Sequence, residues 1–199
     1  MYKRISIYIF LIVNFLISEN ITGYELAKLI DEKPQPKSSK SEISMTLNNL
    51  KRNKSKTKEM ISIAKNNGDK MLMFFKSPKR DKGVGFLKIE NEDSDKLSLF
   101  IPKLKKIRRI SSSNQSDSFM GSDLSFEDML SRNLDDYDYN IISETDDLYQ
   151  LESICKDKDS EYLKHISWIL KDQLLIQKEY SYDQNNELLK EKLFKHILI

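Results

Sequence analysis

The sequence predicts a mainly β protein, a long antiparallel meander with one short helix at its start and a second helix inserted midway. Three observations carry this reading. Apolar and polar residues alternate through most of the chain, which is the period of a half-buried strand. Polar turns recur between these runs, as at Asn66 to Asp69 and Asp183 to Asn186. Two stretches, 24–30 and the segment after Ser125, break the alternation with helical spacing.

In chain order, Tyr2, Lys3 and Arg4 precede residues 5–17, which are apolar except for Ser6 and Asn14. A bilayer core of roughly 30 Å takes about 20 helical residues, more than this run supplies. Residues 1–23 are therefore expected to be a secretory signal peptide cut after Gly23, leaving one domain over 24–199 with its own core. Leu26, Leu29 and Ile30 place a short amphipathic helix over 24–30, stopped by the segment 31–36 with its two prolines. Strands are expected at 42–47, from Ile61 to the turn at Asn66, at 71–75, 86–89, 97–101 and 107–110. The run 71–75 is apolar at every position, so it is expected to be a central strand or one buried on both faces. Ser125 and Asp128 fit a capping box that opens the inserted helix, whose face holds Phe126, Met129 and Leu130. Strands resume at 139–143, 149–155, 163–170, 174–182 and from Leu188 onward.

The net charge of +2 favours no partner, but its distribution is uneven. Residues 51–109 hold 18 Lys and Arg against 7 Asp and Glu, and residues 110–161 hold 3 against 14. Such asymmetry either compensates within the fold or orients the protein on a charged surface. The basic run Lys103, Lys105, Lys106, Arg108 and Arg109 has two compatible readings: docking on a partner or on lipid head groups, and protection of an edge strand from stray pairing. Export leaves little nucleic acid to meet, so none is expected as a partner.

Catalytic chemistry finds little support. The histidines are His165 and His196, and the chain lacks HExxH, GxSxG and CxxC. Gly83 and Gly85 form a bare GxG with no helix after them, which reads as strand-start glycine and not a nucleotide loop. Asp135, Asp136 and Asp138 lack calcium-loop spacing, and the single Cys155 offers neither a disulfide nor a metal cluster. No enzyme activity, cofactor or metal is expected.

Three stretches carry a family resemblance: SPKRDKGVGFL at 77–87, LSLFIPKLKKIRRISSSNQSDSFMGSDLSFEDM at 97–129, and KDKDSEYLKHISWILKD at 156–172. Together they resemble the outer membrane lipoprotein-sorting protein family, related to the LolA-type periplasmic lipoprotein carriers. The resemblance implies an incomplete β-barrel, a curled antiparallel sheet around an apolar cavity with a helical lid, in a periplasmic protein without catalytic residues. It also implies further strands beyond 188–199, so either the domain is shortened at its C-terminus or the sequence is truncated there. On that basis Met45, Leu47, Ile61, Ile63, Met71, Met73, Phe75, Leu99 and Ile101 are the expected contacts of an acyl chain. Methionine suits the task because its flexible, polarizable side chain adapts to ligands of variable shape. Phe119, Met120, Gly121, Phe126, Met129 and Leu130 are the expected lid, with Gly121 permitting a sharp turn. The implied function is carriage of lipoprotein or lipid acyl chains toward the outer membrane. The alternative is an adaptor that docks on an inner-membrane exporter and carries no lipid.

Overall fold

The computed structural model describes residues 21–91 and 95–195, so the expected leader lies almost wholly outside the described residues. The first element is helix α1 (Gly23–Asp31), and its start is a complete capping box. The Thr22 hydroxyl accepts from the Glu25 N–H while the Glu25 carboxylate accepts from the Thr22 N–H, which satisfies two otherwise orphaned donors.

Six strands follow as an uninterrupted meander: β1 (Ser38–Asn49), β2 (Lys54–Lys65), β3 (Lys70–Ser77), β4 (Gly85–Ile89), β5 (Lys96–Ile101) and β6 (Lys106–Ile110). The expected Asn-rich turn joins β2 to β3, with Asn66, Asn67 and Gly68 all at positive φ. A second meander holds β7 (Tyr137–Glu144), β8 (Leu148–Cys155), β9 (Tyr162–Leu170), β10 (Leu175–Asp183) and β11 (Leu188–Leu193). Every strand pair is antiparallel, and neighbours in sequence are neighbours in the sheet. The two sheets do not join, because the insert 111–136 separates β6 from β7.

One expectation is corrected here. The segment after Ser125 forms a single 3₁₀ turn, Glu127–Met129, instead of a helix. The capping hydrogen bonds between Ser125 and Asp128 are made as anticipated, but Leu130 is extended and the Ser131 N–H donates to Glu90. That bond takes the chain away after one turn, too short for a helix to sustain itself. Of the two alternatives for the run 71–75, the central strand holds: Met73 and Phe75 are buried on one face while Phe74 is 42% exposed on the other.

Each sheet has its own core. Met60, Met73, Phe75, Phe86, Leu97, Leu99 and Ile110 form the apolar face of the first, together with Phe119 and Phe126 of the insert. On the second, Leu26 and Ala27 of α1 pack against Leu151 and Ile169. Gly23 lets α1 lie against β7, since a Cβ there would stand 2.6 Å from the Tyr139 carbonyl carbon and oxygen.

Candidate functional site

The site is built by strand alternation and register. Residues i and i+2 share a face, and the pairing Met60↔Phe75, Met73↔Phe86, Phe86↔Leu99 and Leu97↔Ile110 lays a mainly apolar surface across β2 to β6, into which Lys58, Ser62 and Lys88 are also buried. Ile43 and Met45 of β1 and Met71 of β3 extend it, partly buried. Of the expected acyl contacts, Met45, Leu47, Met71, Met73, Phe75, Leu99 and Ile101 stand on this face, the last two strands' ends included. Ile61 and Ile63 stand on the opposite one, paired with Phe74 and Leu72. These two therefore cannot line a space shared with the other seven.

The insert covers this face with aromatic side chains. Phe119 meets Phe86 edge-on at a centroid distance of 5.0 Å and Phe126 at 5.6 Å, while Phe126 lies 6.1 Å from Phe86. Such offset and edge-to-face pairs add roughly 0.5–1.5 kcal/mol each beyond simple burial. Met120, Leu124, Met129 and Leu130 pack around them. Phe119 and Leu124 are bonded through N–H and carbonyl, closing a tight loop whose turn is Met120 and Gly121, both at positive φ. Among the described residues nothing lies within 4 Å of a Cβ built on Gly121, so glycine serves there for its backbone conformation and not for space.

Polar bonds hold the insert to the second sheet. Asp128 receives Lys192 at 2.7 Å and Lys190 at 2.9 Å, both from β11. Arg132 makes a bidentate pair with Glu179 of β10 at 2.7 and 2.8 Å. Glu127 accepts from Ser160 and from the Glu161 N–H. Burial opposes ionisation of Asp128, but the two lysines and the Ser125 N–H hold its carboxyl well below the usual range. For Glu179 burial likewise opposes, and the Arg132 bond and charge prevail, bringing it down to about 2. Behind them His165, fully buried, bonds Ser181 through Nδ1 at 2.9 Å. Burial and the Arg132 charge lower His165 to about 3, so it stays neutral, and its Nε2 has no hydrogen-bond partner among the described residues. Burial pushes the Tyr162 hydroxyl far above its usual range.

Of this polar group the sequence singles out Asp128, as a capping residue, and His165, but none of the pairings that bury them. The available signal was a set of polar residues, Ser167, Glu179 and Ser181, alternating with Trp168, Tyr180 and Tyr182 along β9 and β10. Period-2 reasoning turns the aromatics inward, whereas the fold buries the polar residues. His196, the other histidine, lies outside the described residues.

The basic run is exposed throughout but does not form one stripe. Lys103 and Lys105 belong to the β5–β6 turn, Arg108 faces the insert and reaches Asp117 at 3.8 Å, and Arg109 faces the other way. Among the cavities bounded by the described residues, two touch the insert or α1. One of about 230 Å³ is lined mainly by polar groups, among them Asp128, Arg132, Tyr162 and Lys192. The other, about 130 Å³, runs beneath α1 between Ala27, Ile30, Leu151, Ile169 and Ile176. Both fall below the ~300–1,000 Å³ usual for a ligand of drug size.

A family model described as "uncharacterized protein" matches residues 67–197. Among solved structures, an outer membrane lipoprotein-sorting protein domain from Vibrio parahaemolyticus is 31% identical, with a TM-score of 0.76 over 83% of this chain and 74% of that one. This chain belongs to the outer membrane lipoprotein-sorting protein family. A DUF1329 family protein from Desulfovibrio piger is equally similar, 31% identical with a TM-score of 0.78, covering 85% of this chain and 75% of the other. A LolA superfamily protein from Nitrosomonas europaea shares the fold at 19% identity and a TM-score of 0.64, over 90% and 81% of the two chains. No curated protein matches. The lipoprotein-sorting fold is thus an incomplete barrel here as well, two antiparallel sheets left unclosed, with α1 and the insert on the inner side.

Proposed function

We propose that this protein is a periplasmic carrier that shelters the acyl chains of a lipoprotein or lipid on the inner face of its first sheet and helps deliver them toward the outer membrane. The observation that carries this is the aromatic insert. Phe119 and Phe126 occupy an apolar surface that an acyl chain would fit, and the insert is fastened across the opening by side-chain bonds from Asp128, Arg132 and Glu127 instead of a strand ladder. Opening exchanges one apolar partner for another. A buried methylene gains roughly 0.8 kcal/mol, so a chain of about 15 carbons gains on the order of 12 kcal/mol. That gain nearly equals what the bilayer gives. Transfer in either direction then needs no chemistry, only a lid whose displacement costs a few kcal/mol. The charged N-terminus and apolar run of residues 2–17 support export, and no helix among the described residues is long and apolar enough to cross a membrane.

The test is saturable binding of a fluorescent fatty acid to delipidated protein, with native mass spectrometry of material purified from a membrane-containing host. Copurified acylated peptide or phospholipid supports the carrier and names the cargo class. A specific observation favours a second reading: the inner face is filled by the protein's own side chains, as expected of an adaptor that docks on an exporter and carries nothing. Apoprotein that refuses added lipid would select that reading.

A further inference from the structure

The first sheet carries a second apolar surface that cargo binding does not use. On the face turned away from the insert, register sets Ile61, Phe74, Gly85, Phe100 and Ile107 opposite one another in a single row across β2 to β6. Ile63, Leu72 and Leu87 form a second row beside it. Four strand spacings of about 4.8 Å make the patch roughly 19 Å wide. Phe74 and Phe100 flank Gly85, where an added Cβ would lie 3.7 Å from the Phe74 ring and 3.6 Å from the Phe100 Cβ. Ile107, on the edge strand, is 70% exposed. Single exposed apolar residues are ordinary, but a row running through five strands marks an interaction surface.

Within the sheet the charges that border the patch are cations, while Asp69 and Asp95 lie in the adjoining turns. The next row holds Lys65, Lys70 and Lys96 around Ile89, and Arg109 closes the second row beyond Ser98. All four cations are exposed, and none is ion-paired among the described residues. The acidic side chains on this face are engaged, Glu42 with Lys76 at 3.6 Å and Glu59 with Ser44 at 2.8 Å.

We propose that this face docks on an anionic lipid bilayer, with Phe74, Leu87, Phe100 and Ile107 entering the boundary between head groups and acyl chains and the four cations against lipid phosphates. Charge decides the occupant. A second copy using the same face would bring the basic border against itself, whereas an anionic membrane supplies both the apolar layer and the opposite charge. Docking is independent of cargo binding, so a protein that takes up no acyl chain would still sediment with vesicles.

The full chain is tested with sonicated phosphatidylcholine vesicles with and without 30% phosphatidylglycerol, at low and high salt. Expected is binding to the anionic vesicles that weakens with salt. Phe74→Ser with Phe100→Ser should weaken it at least about tenfold through lost apolar burial, and Lys65→Glu with Lys70→Glu by at least about fivefold per charge. Unchanged circular dichroism melts guard against misfolding, and the N-terminal apolar run is common to every variant. A Leu87→Trp variant adds a geometric readout. With brominated anionic lipid its new indole should be quenched, while Trp168, on the outer side of the second sheet, should not. Vesicle binding unaffected by either double variant, equal binding to neutral vesicles, equal quenching of both tryptophans, or capture of a protein with no vesicle binding would each overturn the proposal.

Discussion

His165 shows how a single residue couples burial to pH. Its imidazole is fully buried and neutral, with a folded-state pKa near 3 against an ordinary value of about 6.5. The unfolded chain therefore binds a proton that the folded one refuses, and stability falls as pH drops from 6.5 toward 3 by about 1.4 kcal/mol per unit. Glu179 adds the same sign only below about 4.5, since its carboxyl is held near 2 in the fold. Between pH 6.5 and 5 the slope accordingly belongs to His165 among the described residues. Urea melts of His165→Gln should lose that slope, and an unchanged one would mean that the ring is not buried neutral. Lys58 makes a second residue-scale prediction. It is 1% exposed and bonds Asp81 at 2.6 Å, so Asp81→Ala leaves a buried cation with no close partner and should cost about 3 kcal/mol. Neither group was legible in the sequence, because Lys58 and Asp81 meet only through the turn between β3 and β4.

At the scale of elements, α1 depends on residues at its very start. A chain beginning at Tyr24, as the expected cleavage after Gly23 would give, lacks both the Thr22 cap and the close packing of Gly23 on β7. It should melt below one beginning at Ile21 by about 1 kcal/mol or more, the usual worth of an N-cap. The helix itself was read correctly from three apolar residues at helical spacing. The insert was not, because the capping residues that announce a helix serve equally well around one 3₁₀ turn when Glu90 draws Ser131 away. Its fastening is testable. Asp128→Asn keeps the shape but removes the charge that holds Lys190 and Lys192, so acyl-probe uptake should quicken severalfold while stability drops by about 1–3 kcal/mol. Unaltered uptake kinetics would show that the insert is not what limits entry.

The whole molecule is two antiparallel sheets joined by one insert, and the charge asymmetry of the sequence follows that division: the basic stretch spans β2 to β6, the acidic one the insert with β7 and β8. If the insert is the moving part of a carrier, hydrogen exchange after acyl loading should speed over 111–136 while β3, β4 and β9 stay protected; protection unchanged throughout would remove the lid from the mechanism. The sequence by itself determined the strands, their antiparallel order and the N-terminal helix, since alternation, turn residues and capping act within about ten residues of one another. It also carried the family resemblance and most of the apolar face. Only the tertiary structure decided that the meander breaks at the insert, that Ile61 and Ile63 turn away from Met73 and Phe75, and that a charged cluster is buried in the second sheet. The facing of Ile61 and Ile63 follows from their register with Phe74 and Leu72, while the bonds that fasten the insert and bury the cluster join residues 41 to 64 positions apart, Ser131 to Glu90, Arg132 to Glu179 and Asp128 to Lys192. A polar side chain becomes a buried partner only after register and packing remove the water it would otherwise bind.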